Sequence, residues 1–198
     1  MTLDFRPLTR ADFPLLFDWL TTPHVAEWWL PAPASIADVE AQYGPAVDGA
    51  DRTEMFLIHS DGVPIGLIQR YRHADEPDWD RAVGIPDAAG IDYLIGSAAH
   101  RGRGLGTAAI REFTELVFAR YPEISAVVAA PQQDNTASCR ALEKAGYTAV
   151  RAAELNTGDP SDAGVSVIYL KAREQPAGSR RSPRTRPAAG RCSACPES

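Results

Sequence analysis

Cysteine is scarce here: the 198-residue chain has three, and two of them, Cys192 and Cys195, lie close to its C-terminal end. Three cysteines make no disulfide framework, so a reducing cytoplasm is the expected compartment. The C-x-x-C of Cys192 and Cys195 has neither a second pair nor a nearby histidine, so no metal site is expected. No apolar run approaches the roughly 20 residues that a membrane span needs. The opening "MTLDFRPLTR" also has no apolar signal segment. Basic charge is in short supply, with 20 lysines and arginines against 26 acidic residues and a net of −6. Five of the arginines fall in 174–198, against only Glu174 and Glu197, which leaves residues 1–173 at −9. An acidic body suits a cationic small molecule better than nucleic acid. The expected partner is therefore a small substrate, not nucleic acid or membrane, with the chain a monomer or homodimer.

What is present is the composition of a soluble globular protein, 44% hydrophobic and 23% charged. A strand is expected at 3–8, then a helix over 10–20 opened by Thr9 and a short helix in "TPHVAEWW". Ser35 with Asp38 makes a capping-box-like start for the next helix. Two strands follow, joined across Asp61-Gly62, a strong hairpin turn. Residues 73–90, rich in Asp, Pro and Gly, read as a long loop. Strands at 90–96 and 125–130 alternate with helices at 104–120 and 134–145, and a strand pair closes the pattern. The fold class is α/β (α+β), one sheet with helices packed on it, over a domain of 1–173. Residues 174–198 have the composition of a disordered Arg/Pro-rich tail.

Between the strand at 90–96 and the helix at 104–120 lies "RGRGLG", residues 101–106. Glycine lets backbone approach a ligand closely, and a helix start offers unpaired N–H groups and a positive dipole end. Those features favour a phosphate. No Lys-Ser/Thr follows, which excludes a Walker A loop, and the G-x-G-x-x-G dinucleotide spacing is absent. The pattern R-x-x-G-x-G between strand and helix resembles the pyrophosphate loop of the GNAT superfamily of acetyl-CoA-dependent N-acyltransferases. "DYLIG" upstream and "SAVVAAPQQDNTASCRALEKAGY" downstream extend the resemblance in the right order. It implies a mixed, mostly antiparallel sheet of about seven strands flanked by about four helices, with acetyl-CoA as co-substrate. Arg101, Gly102, Arg103, Gly104, Leu105, Gly106 and Thr107 would hold the pyrophosphate. Leu94, Ile95 and Gly96 would pair with the pantetheine arm as an added strand, and Asn135 would bond the cofactor or cap its helix.

Transfer needs a neutral amine, because an ammonium has no lone pair, and a carboxylate beside the cofactor can orient the amine and take its proton, directly or through water. Asp92, between Ile91 and Tyr93 on a strand, is the candidate. "FDWLTTPHVAEWW", "SIADVEAQYGP" and "GVPIGLIQRY" followed by an acidic, Trp-bearing loop resemble the aminoglycoside 6'-N-acetyltransferases over about residues 3–171. That resemblance implies that Trp28, Trp29, Asp78, Trp79, Asp80 and Asp87 face an aminosugar and that Asp92 is the catalytic carboxylate. Two positions depart from the pattern. Ala130 stands where members often have Asp, and Leu142 where many have a Tyr proposed to protonate the leaving thiolate. The alternatives are N-acylation of another metabolite amine, as in siderophore precursors, and a non-catalytic acyl-CoA-binding module.

Overall fold

A computed structural model describes residues 2–155 and 157–174. Seven strands form one sheet in the order β1-β2-β3-β4-β5-β7-β6. They are β1 (Leu3–Pro7), β2 (Glu54–Ser60), β3 (Val63–Arg72), β4 (Ala88–Ile95), β5 (Ala126–Ala129), β6 (Thr148–Glu154) and β7 (Val165–Ala172). Every neighbouring pair is antiparallel except β4–β5. Asp61 and Gly62, both at positive φ, turn the β2–β3 hairpin as expected.

Among the described residues, six α-helices accompany the sheet: α1 (Phe13–Leu20), α2 (Pro23–Ala26), α3 (Ile36–Val47), α4 (Pro77–Val83), α5 (Leu105–Arg120) and α6 (Thr136–Ala145). The resemblance implies about four; α2 lies within the short helix expected in "TPHVAEWW", and α4 is the addition. The segment read as a loop at 73–90 in fact contains α4, and β4 begins at Ala88. Pro77 in the first helical turn and Gly84 in the left-handed region bracket that helix. Ser35 caps α3 by accepting from the Asp38 N–H at 3.3 Å.

Both faces of the sheet are covered. Ile68, Ile91 and Val127 pack under α5 and α6, with Phe113 fully buried. Leu57, Leu67 and Leu94 pack under α1 and α3, with Leu16 and Leu20 fully buried. A sheet buried on both sides reads as continuous apolar runs, which is why "FLI" and "IGLI" lack clean alternation.

One discontinuity positions the site. β4 and β5 pair only at Ala88–Ala126, Ala89–Val127 and Gly90–Val128. From Ile91 to Ile95, β4 keeps β3 as a partner on one side and has no strand on the other. The sheet therefore opens there. The expected tail, with Cys192 and Cys195, lies almost wholly outside the described residues.

Candidate active site

A cleft of about 550 Å³ runs over this opening. Asp92 sits in it, opposite Gln69 in the β3–β4 register. The Gln69 side-chain amide donates to its carboxylate at 2.9 Å. The Tyr71 hydroxyl faces the same carboxylate. Tyr71 can do so because its partner across the strands is Gly90; a Cβ there would lie 2.3 Å from the Tyr71 ring. Burial, reinforced by the negative charges of Asp162 and Asp159, raises the pKa of Asp92 from 3.8 to about 6, against the lowering effect of Gln69 and Tyr71.

The acidic residues of the cleft come from three elements. Asp51 precedes β2, Glu76 and Asp78 lie at the start of α4, and Asp159 and Asp162 lie in the β6–β7 loop. That loop is tied across the cleft. Ser161 Oγ donates to the Leu30 carbonyl at 2.8 Å and accepts the Leu30 N–H at 2.9 Å. Gln132 donates to the Ser161 carbonyl at 2.7 Å. Thr157 donates to Asp162. Burial and neighbouring carboxylates raise the pKa of Glu76 and of Asp162. With Asp92, six carboxylates line the cleft, and among its described lining residues there is no lysine, arginine or histidine. Such a field favours a cation.

Of the aromatic candidates, Trp28, Trp29 and Trp79 all line the cleft. Trp29 Nε1 donates to the Tyr43 hydroxyl at 2.8 Å, and Trp79 Nε1 donates to His73 Nε2 at 3.2 Å. Burial holds His73 down near pKa 4, so it is neutral at pH 7 and accepts that bond. Asp78 is in the lining and pairs with Arg81 at 2.8 Å. Asp80 and Asp87 are not in it. Asp80 lies on the His73 side of α4, and Asp87 is exposed in the turn before β4, where its carbonyl accepts the Ser125 N–H at 2.7 Å. Neither side chain lines the cleft: α4 turns Asp80 towards His73, and Asp87 lies past that helix in the turn before β4.

On the cofactor side, Leu94, Ile95 and Gly96 follow Asp92 along and just beyond the open section of β4. The Leu94 side chain is in the core, and His24 Nε2 bonds the Ile95 carbonyl at 3.0 Å. Gly96 has a packing reason, since a Cβ there would meet the Trp19 ring at 2.1 Å. Gly102 and Gly104 have φ of 69° and 78°, and a Cβ on either would meet nothing within 4 Å. Gly104 is the N-cap of α5, so the N–H groups of Leu105, Gly106 and Thr107 have no partner within the helix. Arg101 and Arg103 are exposed on the same loop. Open space, free N–H groups and two guanidiniums fit a pyrophosphate. Asn135 caps α6, accepting the Ser138 N–H at 3.1 Å, and also lines the cleft. Ala130 lines it too, whereas Leu142 is fully buried.

Sequence reasoning missed Gln69, Tyr71, Tyr43 and the β6–β7 loop. A polar Gln69 inside an apolar strand was a visible signal, but its register with Asp92 was not. Nothing local marks Asp159 or Asp162, whose position depends on the Ser161–Leu30 tie.

Residues 9–155 match the acetyltransferase (GNAT) domain family. The chain belongs to that family. This acetyltransferase is 34% identical to the aminoglycoside N(6')-acetyltransferase type 1 of Klebsiella pneumoniae over 149 residues, 74% of each chain. It resembles the crystal structure of aminoglycoside acetyltransferase AAC(6')-Ib in complex with coenzyme A and kanamycin, with a TM-score of 0.73 at 30% identity. That match covers 87% of this chain and 95% of the other. AAC(6')-Ib in complex with ribostamycin and coenzyme A gives 0.74 at 30% identity, covering 87% and 94%.

Proposed function

We propose that this acetyltransferase moves the acetyl group of acetyl-CoA onto the 6'-amine of an aminoglycoside, directly, within a ternary complex. The observation that carries the reading is the cleft itself, with six carboxylates, three tryptophans and no basic side chain among its described lining residues. An acceptor with several ammonium groups is attracted and oriented there, while its sugar rings lie against aromatic faces. The relatives bound to kanamycin or ribostamycin together with coenzyme A support the same choice. The loop at 101–107 and Asn135 would hold acetyl-CoA, and the open edge of β4 would receive its pantetheine arm. A cytoplasmic location, where acyl-CoA is available, belongs to the same reading.

Asp92 is the base. Its pKa of about 6 leaves it ionised at pH 7 yet more basic than an ordinary aspartate. As the amine nitrogen forms its bond to the thioester carbonyl carbon, one amine proton passes to Asp92, directly or through water. Gln69 and Tyr71, which line the same cleft, fix the carboxylate by hydrogen bonds. Asp159, Asp162, Glu76 and Asp78 bind the remaining ammonium groups. Ala130 supplies no charge, so the β5 wall contributes shape only.

The test is release of coenzyme A thiol with kanamycin and with its 6'-hydroxyl counterpart. Rapid turnover with the amine and none with the alcohol is expected. Equal rates, or none with either, would move the function to another metabolite amine.

A further inference from the structure

The acceptor side of the cleft has its base, but transfer also needs something to stabilise the group that leaves. Two hydroxyls stand at the place where the sheet opens. Tyr93 lies on the open section of β4, next to Asp92 but on the opposite strand face, directed towards α6. Ser138 is in the first turn of α6, the helix that follows β5. Their oxygens are 2.6 Å apart, and both residues line the cleft. The bond joins β4 to the β5 side across the gap. Asn135 fixes the Ser138 backbone by capping the same turn. The Tyr93 hydroxyl also lies 3.4 Å from the Ser138 carbonyl; with Tyr93 donating within this pair, the Ser138 hydroxyl hydrogen is left to point elsewhere.

We propose that the Tyr93–Ser138 hydroxyl pair donates a hydrogen bond to the thiolate sulfur of the departing coenzyme A. The inference rests on the acetyl transfer proposed above. When the carbon–sulfur bond breaks, its electron pair goes to sulfur, and the amine proton has gone to Asp92. The pair stabilises the new negative charge without giving up a proton. Burial pushes the Tyr93 phenol well above the usual tyrosine range, whereas an alkyl thiol titrates at about 8.5. Proton transfer from the phenol to the thiolate is therefore uphill, and a hydrogen bond is the favourable interaction. The thiolate takes its proton from water afterwards. Leu142, one turn further along α6, is buried and has no proton to offer.

The pair should lower the thiol pKa of bound coenzyme A, a property that can be read without any acceptor. The titratable groups whose charge acts on Tyr93 are Tyr147, Cys139 and Asp92, none of them a cation, so they cannot produce that shift. The experiment follows thiolate ultraviolet absorbance against pH for coenzyme A bound to the protein, to Tyr93→Phe and to Ser138→Ala. With the unaltered protein the thiol should titrate about one pH unit below free coenzyme A. Each variant should lose a large part of that shift, titrating closer to free coenzyme A, while keeping its affinity for coenzyme A. In turnover, kcat should fall roughly tenfold or more with the KM for acetyl-CoA unchanged. Phenylalanine retains the buried ring, and alanine suits a helix, so both variants should fold. Titration like the unaltered protein in either variant overturns the role of the pair. Failure of the unaltered protein to bind coenzyme A at all overturns instead the acetyl transfer on which it rests.

Discussion

Asp92 is held where its charge is least comfortable, and the fold must carry that burden. Its folded pKa, about 6, lies above the ordinary 3.8, so between those values the folded state holds more protons than the unfolded one. Stability on this account rises as pH falls from about 6 towards 4, and the ionised group is a burden on the order of 2 kcal/mol at neutral pH. Asp92→Asn removes the charge and still accepts from Gln69. Its melting temperature at pH 7.5 should therefore rise by roughly 4 °C, a gain that shrinks as the pH drops below about 6. Its kcat/KM should fall about 100-fold or more, and the activity limb near pH 6 should disappear. Scanning calorimetry with a pH–rate profile checks both halves. A variant that melts higher but keeps the limb would locate the base elsewhere.

At the scale of elements, the end of β7 secures the end of α5. Arg173 follows that strand, and its guanidinium donates to the carbonyls of Phe118, Tyr121 and Ile124 at 3.0, 2.7 and 2.9 Å. It also lies over the Phe118 ring at 4.6 Å. Helix-terminal carbonyls lack partners and attract a cation, so one side chain satisfies several groups together. Arg173→Ala should lower stability by about 2 kcal/mol in denaturant unfolding. Truncation after Glu174 should leave the unfolding midpoint unchanged. The change of composition near 173 was legible in the sequence; the clamp was not, because α5 and β7 are joined only by tertiary packing. The same division holds elsewhere. Hairpin, caps and the glycine loop are local chemistry and could be read directly. Short α4 was hidden because its Pro and Gly punctuate a helix as readily as a loop. Asp92 and the three tryptophans were visible as residue types in telling places, whereas Gln69, Tyr71 and Ser161 act through register and through a loop crossing the cleft.

At the scale of the whole molecule, residues 1–173 carry −9, and six carboxylates converge on one cleft. Binding of a polycation should then be largely electrostatic. Raising the ionic strength from 0.05 to 0.5 M shortens the screening length from about 14 Å to about 4 Å. The acceptor KM should rise several-fold across that range in steady-state assays, and an unchanged KM would show that contact shape outweighs charge. The opened sheet bears on the same molecule differently. β4 and β5 share three paired positions and then part, leaving one edge without a neighbour. On the proposed function, the pantetheine arm is a removable strand. Loading the enzyme closes a seam in its own architecture, and releasing coenzyme A reopens it, so each catalytic cycle takes out and replaces a structural member.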